Sequence, residues 1–199
     1  MARRPILRRM TLPAARGRPR SAASTAAILE AAYALMAGQG LAATGIDAVA
    51  RAAQVSKMTI YKWWPTREAL LIDAFLHQAA ARLPLLGEGS GAARLRRHVA
   101  DYVAALDSDF GRVQRAVIAE CIAGGGSAAA FFERYLAQRR AALARIIAEG
   151  QADGSILSDA APAAIYDALY GGLFYRHLFG MPPQPDALLA LCLGQAAKP

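Results

Sequence analysis

Cysteine is almost absent from this chain: Cys121 and Cys192 stand far apart, with no CxxC pair. That excludes a disulfide scaffold and a paired-cysteine zinc module. Histidine is equally scarce, and His77, His98 and His177 show no ligand spacing among themselves, so neither a metal nor any other cofactor is expected. No uninterrupted apolar run reaches the ~18 residues a membrane-spanning helix needs. The arginine-rich first twenty residues lack the apolar stretch of a secretory signal. Catalytic signatures are missing too: there is no GxSxG, HExxH or P-loop. The glycine-rich "GEGSG" at 87–91 and the triplet Gly124–Gly126 follow no strand and precede no Lys-Ser or Lys-Thr, so both read as turns. No acid, base and nucleophile can be assembled, which leaves a helical enzyme as a remote alternative.

What the chain does have is alanine and a lopsided charge. Hydrophobic residues make up 55% of the sequence, much of it alanine, the strongest helix former. The net charge is +8, and seven arginines (Arg3, Arg4, Arg8, Arg9, Arg16, Arg18, Arg20) lie in the first twenty residues with no acid among them. The rest is nearly neutral. A basic arm of residues 1–20 with three prolines reads as unfolded and suits an anionic polymer such as nucleic acid. A solubilising tail or a transit peptide would share that composition.

Apolar periodicity and punctuation predict about nine helices and an all-α fold. The first runs from Ser24 to Ala37 and buries Ile28, Leu29, Ala32, Leu35 and Met36. A short one follows over Ile46–Ala53 with Thr44 as its cap, and another over Lys57–Trp64 capped by Ser56. Pro65 stops that helix, and Thr66 caps a fourth that ends near Leu83. Beyond Pro84 and the glycine-rich linker, longer helices are expected over 92–109, 112–123, 128–150, 160–179 and 185–196.

Segment 44–64, "TGIDAVARAAQVSKMTIYKWW", carries the functional signal. Two short helices around a tight break at Gln54–Val55 have the helix-turn-helix arrangement, although an ordinary αα-corner has the same outline. At 100° per residue Ile60, Ser56 and Trp64 share an inner face, and Met58 and Lys62 point away with Thr59 and Tyr61 beside them. Such an outward mixture of cationic, polar and apolar groups suits a reader of the major groove.

Residues 24–76 resemble the N-terminal DNA-binding domain of the TetR family of bacterial transcriptional regulators. The resemblance lies in "AILEAAYALMAGQG" and "IDAVARAAQVSKMTIYKWWPTREALL". Within them stand the pair Val49–Ala50, the turn Ala53–Gln54–Val55–Ser56, Tyr61, Trp63–Trp64 and Pro65–Thr66–Arg67. Gln54 stands where the family usually has a turn glycine, which implies a strained or re-routed backbone there. Trp64 stands where phenylalanine is usual, Arg67 replaces lysine, and Met58 occupies a position that is often small.

The resemblance implies that Thr44, Tyr61 and Arg67 contact phosphates of double-stranded DNA. Lys57, Met58, Thr59, Lys62 and Trp63 would face or border base edges, with Trp63 alternatively a packing aromatic. Arg16–Gly17–Arg18–Pro19 resembles an AT-hook core, so Arg16 and Arg18 would lie in a narrow minor groove.

The implied organisation is an arm (1–20), a three-helix DNA-binding domain (21–76) and a helical effector-binding and dimerisation domain (77–199). In the last, Tyr102, Leu106, Phe110, Val117, Cys121, Phe131 and Tyr135 could line a pocket, or could be ordinary core. Helix 160–179 is apolar nearly all round and must be buried on two sides. A partner chain would supply the second, through Tyr166, Leu169, Tyr170, Leu173, Phe174, His177 and Leu178; the alternative is a central helix of a monomer. The expected function is a cytoplasmic homodimeric repressor, nucleoid-associated when bound to DNA, that leaves a palindromic operator when a small-molecule effector binds. No membrane partner is expected, and an effector-independent architectural DNA binder is the alternative.

Overall fold

The computed structural model describes residues 22–85, 87–123, 129 and 131–194. The basic arm, with Arg16 and Arg18, lies outside them, as does the side chain of Tyr135. Among the described residues there are nine α-helices and no strand, so the all-α expectation holds. None of these helices is long and apolar enough to cross a membrane.

Helix α1 (Ala22–Gln39) lies against α4 (Arg67–Arg82), with α2 (Ile46–Ala52) and α3 (Lys57–Tyr61) packed beside them. Ile28, Leu29, Ala32, Tyr33 and Met36 form the buried stripe of α1 and meet Leu70, Leu71, Ala74 and Phe75 of α4. The boundary expected after residue 76 falls inside α4, which is continuous through Arg82.

α6 (Asp109–Ala123) runs antiparallel to α4 and is pinned to it at both ends. Arg67 at the start of α4 reaches Glu120, with N–O 3.1 Å. Arg82 at its end grips Asp109 with two hydrogen bonds of 2.9 and 3.2 Å. Between them Phe75 stacks on Phe110 with ring centres 5.0 Å apart.

The remaining body consists of α5 (Gly91–Leu106), α7 (Ala137–Ala152), α8 (Pro162–Leu178) and α9 (Pro185–Leu193). α7 packs against both α5 and α8, and α9 covers α8 and α5. An uninterrupted helix over 128–150 is not what forms: a π-turn, Phe132–Leu136, leads into α7. Its i→i+5 bonding inserts an extra residue per turn, a distortion often found at functional sites.

The α5 N-terminus is tightly fitted. Its orphan N–H groups on Gly91, Ala92 and Ala93 donate to Asp153, Ser155 and Ser90 respectively. The Ser155 hydroxyl and the Gly91 and Ser155 amides hold the Asp153 carboxyl below the usual carboxylate range. A Cβ on Gly91 would sit 2.3 Å from the Cα and N of Gly150, so α5 and α7 cross in backbone contact. Gly91→Ala should therefore force the helices apart and cost about 1–3 kcal/mol or more in urea denaturation. Gly38→Ala on α1, where nothing lies within 4 Å, should instead add roughly 0.5–1 kcal/mol through helix propensity.

Candidate nucleic-acid interface and interior cavity

The turn between α2 and α3 is a Schellman motif. Val55 N–H donates to Ala50 C=O at 2.9 Å and Gln54 N–H to Arg51 C=O at 3.2 Å. Such a turn needs a left-handed residue, and Gln54 adopts φ 54°. This is the re-routed backbone expected from its replacement of glycine. Gln54→Gly should raise stability, by up to ~1 kcal/mol, because the left-handed penalty of a side chain exceeds the extra entropy glycine loses. Thermal denaturation would register it.

Ser56 caps α3 as expected, accepting from Thr59 N–H at 3.1 Å, and Thr66 caps α4 through Ala69 N–H at 3.1 Å. α3 ends at Tyr61, earlier than Trp64, with the N–H groups of Trp63 and Trp64 both returning to Ile60 C=O. Ile60 and Trp64 face inward and are buried. Met58 is 75% exposed, Tyr61 48% and Trp63 36%. Lys62 holds its ammonium 4.9 Å from the Trp63 ring centre, a cation–π contact. Lys57 pairs with Asp47 at 2.8 Å, and the Ser56 and Thr59 hydroxyls bond each other at 2.9 Å. Lys57, its side chain 57% exposed, stands with Met58, Tyr61, Lys62 and Trp63 on the outward side of this turn.

Two expected phosphate contacts need correction. Thr44 is neither the cap of α2, which is Gly45, nor outward-facing. It is fully buried, and its hydroxyl donates to Gly40 C=O at 2.9 Å. Arg67 spends its guanidinium inside the protein: Nε donates to Thr44 C=O at 2.8 Å, Nη2 to Leu41 C=O, and Nη1 to Glu120. It ties the loop before α2 and the start of α4 to the end of α6.

On the far side of α6 lies a half-open cavity of about 590 Å³, lined by α5, α6, α7 with its π-turn, and α8, with Ile122 and Phe132 exposed at its mouth. Of the expected pocket residues, Tyr102, Cys121 and Phe131 line it. Leu106, Phe110 and Val117 do not: they are buried core, Phe110 against Phe75 and Val117 toward α4. The sequence reading missed His98, Gln114, Arg139, Arg140 and Asp167, which contribute the polar lining.

Those polar groups are organised. Arg139 Nη2 donates to Leu83 C=O at 2.7 Å and meets His98 Nε2 at 3.0 Å. A guanidinium can only donate, so Nε2 is the acceptor and the proton sits on Nδ1. That N–H then faces the Tyr170 hydroxyl at 2.6 Å. The ring is accordingly neutral, and burial, with the Arg139 charge second, pushes its pKa down to about 4. At the rim Arg140 clamps Asp167 with two hydrogen bonds of 2.7 and 2.6 Å. The Arg140 bond holds the Asp167 carboxyl below its ordinary range.

The expected dimer residues also need sorting. Leu169, Tyr170 and Leu173 are buried within their own chain, and Tyr166 and Phe174 line the cavity. His177 turns inward to Gly111 C=O at 3.0 Å. Only Leu178 is exposed. The outward face of α8 is Ala164, Asp167, Ala168, Gly171, Tyr175 and Leu178, continued on α9 by Ala187, Ala190 and Leu191.

Comparison with known proteins agrees with this architecture. Residues 28–74 match "Bacterial regulatory proteins, tetR family", and residues 86–194 match "Tetracyclin repressor-like, C-terminal domain". The HTH-type transcriptional regulator YdeS of Bacillus subtilis (strain 168) is 34% identical over 163 residues, covering 82% of each chain. The HTH-type transcriptional regulator Mb1581 of Mycobacterium bovis is 27% identical over 149 residues, 73% of this chain and 72% of that one. The crystal structure of the TetR family transcription regulator SCO0332 superposes with a TM-score of 0.75 at 28% identity, covering 87% of this chain and 99% of that one. Each of these relatives bears the name of a transcriptional regulator. The chain belongs to the TetR family of bacterial transcriptional regulators, DNA-binding proteins with an N-terminal helix-turn-helix.

Proposed function

We propose that the protein is a cytoplasmic homodimeric repressor, released from a two-fold symmetric operator when a small, largely apolar molecule occupies the cavity. The observation that carries this is the position of α6. Gln114, Ile118 and Cys121 form one wall of the cavity, and Glu120 of the same helix holds Arg67 of the reading head. A cavity of about 590 Å³ falls within the roughly 300–1,000 Å³ common for ligand sites. A ligand that prefers one position of α6 thereby biases the head, which is all that allosteric release requires. The outward face of α8 and α9, from Ala164 to Leu191, is mostly apolar, with Asp167 neutralised by Arg140, and supports an isologous pairing of two chains.

Selecting DNA from random duplexes should return a symmetric site with half-sites about one helical turn or a near multiple apart. A stable monomer at micromolar concentration, or an asymmetric site, would defeat the dimer reading. Tyr102→Ala, in the cavity wall, should change the response to a releasing compound and leave operator affinity within a few-fold. If no small molecule weakens binding, the architectural alternative stands.

We also infer that the basic arm, with Arg16 and Arg18, reaches into the minor groove and neutralises phosphates. Deleting residues 1–20 should flatten the slope of log affinity against log salt by about 0.9 for each phosphate that the arm neutralises. An unchanged slope would make the arm a bystander.

A further inference from the structure

The outward side of α3 presents an uneven chemistry. Lys57 is drawn to Asp47 and the Thr59 hydroxyl to Ser56. Lys62 lies over Trp63. Between them projects Met58, 75% exposed. A methionine carries no hydrogen-bond donor and only a weak acceptor, so it cannot read the polar edge of a base pair. What it offers is a flexible, polarisable apolar tip. The floor of the major groove bears one apolar group by which bases differ, the C5-methyl of thymine. An apolar tip brought into that groove therefore gains selectively only where it covers that methyl.

We propose that Met58 is a specificity residue that reads the C5-methyl of a thymine, one in each operator half-site. This rests on the DNA-reading role of α3 given above. Because the contact is to a methyl and not to the base's hydrogen-bonding edge, 5-methylcytosine at the same place satisfies it equally, whereas uracil and cytosine do not. Base choice at this position thus follows the methyl, and the other outward groups, Lys62 and Tyr61, supply charge and hydrogen bonds alongside it.

The test uses the full-length protein and the operator obtained by selection. Each thymine is replaced in turn by deoxyuridine, symmetrically in both half-sites, which removes one methyl and nothing else. Burial of a single methyl predicts about a fourfold loss per half-site, and about fifteenfold for both, at one thymine position. Met58→Ala should bind the thymine and uracil operators equally well. At that position a cytosine·guanine pair should bind wild type weakly, and 5-methylcytosine should restore most of the loss. Met58→Gln, which keeps the length of the side chain, provides a second variant and should likewise be indifferent to uracil. Uracil costing less than twofold at every position would overturn the proposal, as would an equal cost in wild type and Met58→Ala. A protein that selects no sequence at all overturns the DNA-reading role together with this proposal. One that selects an operator but ignores uracil overturns this proposal alone.

Discussion

Trp64→Ala should lower the stability of the chain by about 3–5 kcal/mol, the cost of emptying a large buried aromatic site. Trp64 is 2% exposed and, with Ile60, forms the inner anchor of α3. Its indole N–H donates to Asp73 Oδ2 at 2.8 Å, so the bulk that stands in place of the family's phenylalanine comes with a polar partner on α4. Trp64→Phe should accordingly cost more than a packing change alone, by about 1–3 kcal/mol for the missing hydrogen bond to a carboxylate. Urea denaturation of Trp64→Phe, Asp73→Ala and the double variant, each of which removes one partner of the bond or both, separates the two contributions. Coupling near zero between the two substitutions would show that the bond stabilises nothing. Trp64→Ala should also abolish operator binding, because α3 then loses its seat against α4.

Acidification should weaken the fold well above the pH at which carboxylates titrate. His98 is neutral in the folded protein with a pKa near 4, against about 6.5 in an unfolded chain. Between those values the unfolded state binds more protons than the native one, so stability falls as pH drops from 6.5 toward 4. The full shift corresponds to about 3 kcal/mol. Burial lowers His177 as well, so its loss has the same sign and must be subtracted. Asp109 and Asp167, whose carboxyls are held low mainly by Arg82 and Arg140, contribute stability above their unfolded value that is lost only at still lower pH. His98→Gln keeps a donor and an acceptor but does not titrate in this range. Its stability should be flatter than wild type between pH 4.5 and 6.5; equal slopes would place the proton elsewhere.

The reading head was legible because its determinants are local. Ser56 and Thr66 cap helices within three residues of themselves, and the strained turn at Gln54 shows in the absence of glycine. Arg67 was misread because its partners, Leu41, Thr44 and Glu120, are distant in sequence and meet it only after α1, α4 and α6 have packed. Thr44 was misread for a related reason: glycine caps α2, and the hydroxyl serves the loop behind it.

α8 shows a different limit. A helix that is apolar on every side carries no phase, so periodicity could not say which face the chain itself buries. The true inward set includes Leu169, Tyr170 and Leu173, which the sequence pattern assigned to a partner. The cavity was half legible. His98 and Tyr102 stand one turn apart on α5, as do Gln114 and Ile118 on α6 and Tyr166, Tyr170 and Phe174 on α8. Polar residues inside otherwise apolar stripes were the available signal, but their convergence depends on helix crossings such as Gly91 on Gly150.

The placement of Trp63 and Trp64 has an optical consequence. They are the chain's two tryptophans, and both belong to the reading head, so light absorbed by indole alone is emitted from that end of the molecule. Trp63, about a third exposed beside the Lys62 ammonium, reports on the surface of the helix-turn-helix; Trp64, buried with its N–H on a carboxylate, brightens or fades with folding. The cavity behind α6 contains tyrosines and phenylalanines but no tryptophan. Any emission change evoked by a compound that is itself transparent and seated there must have travelled through the protein to reach the head.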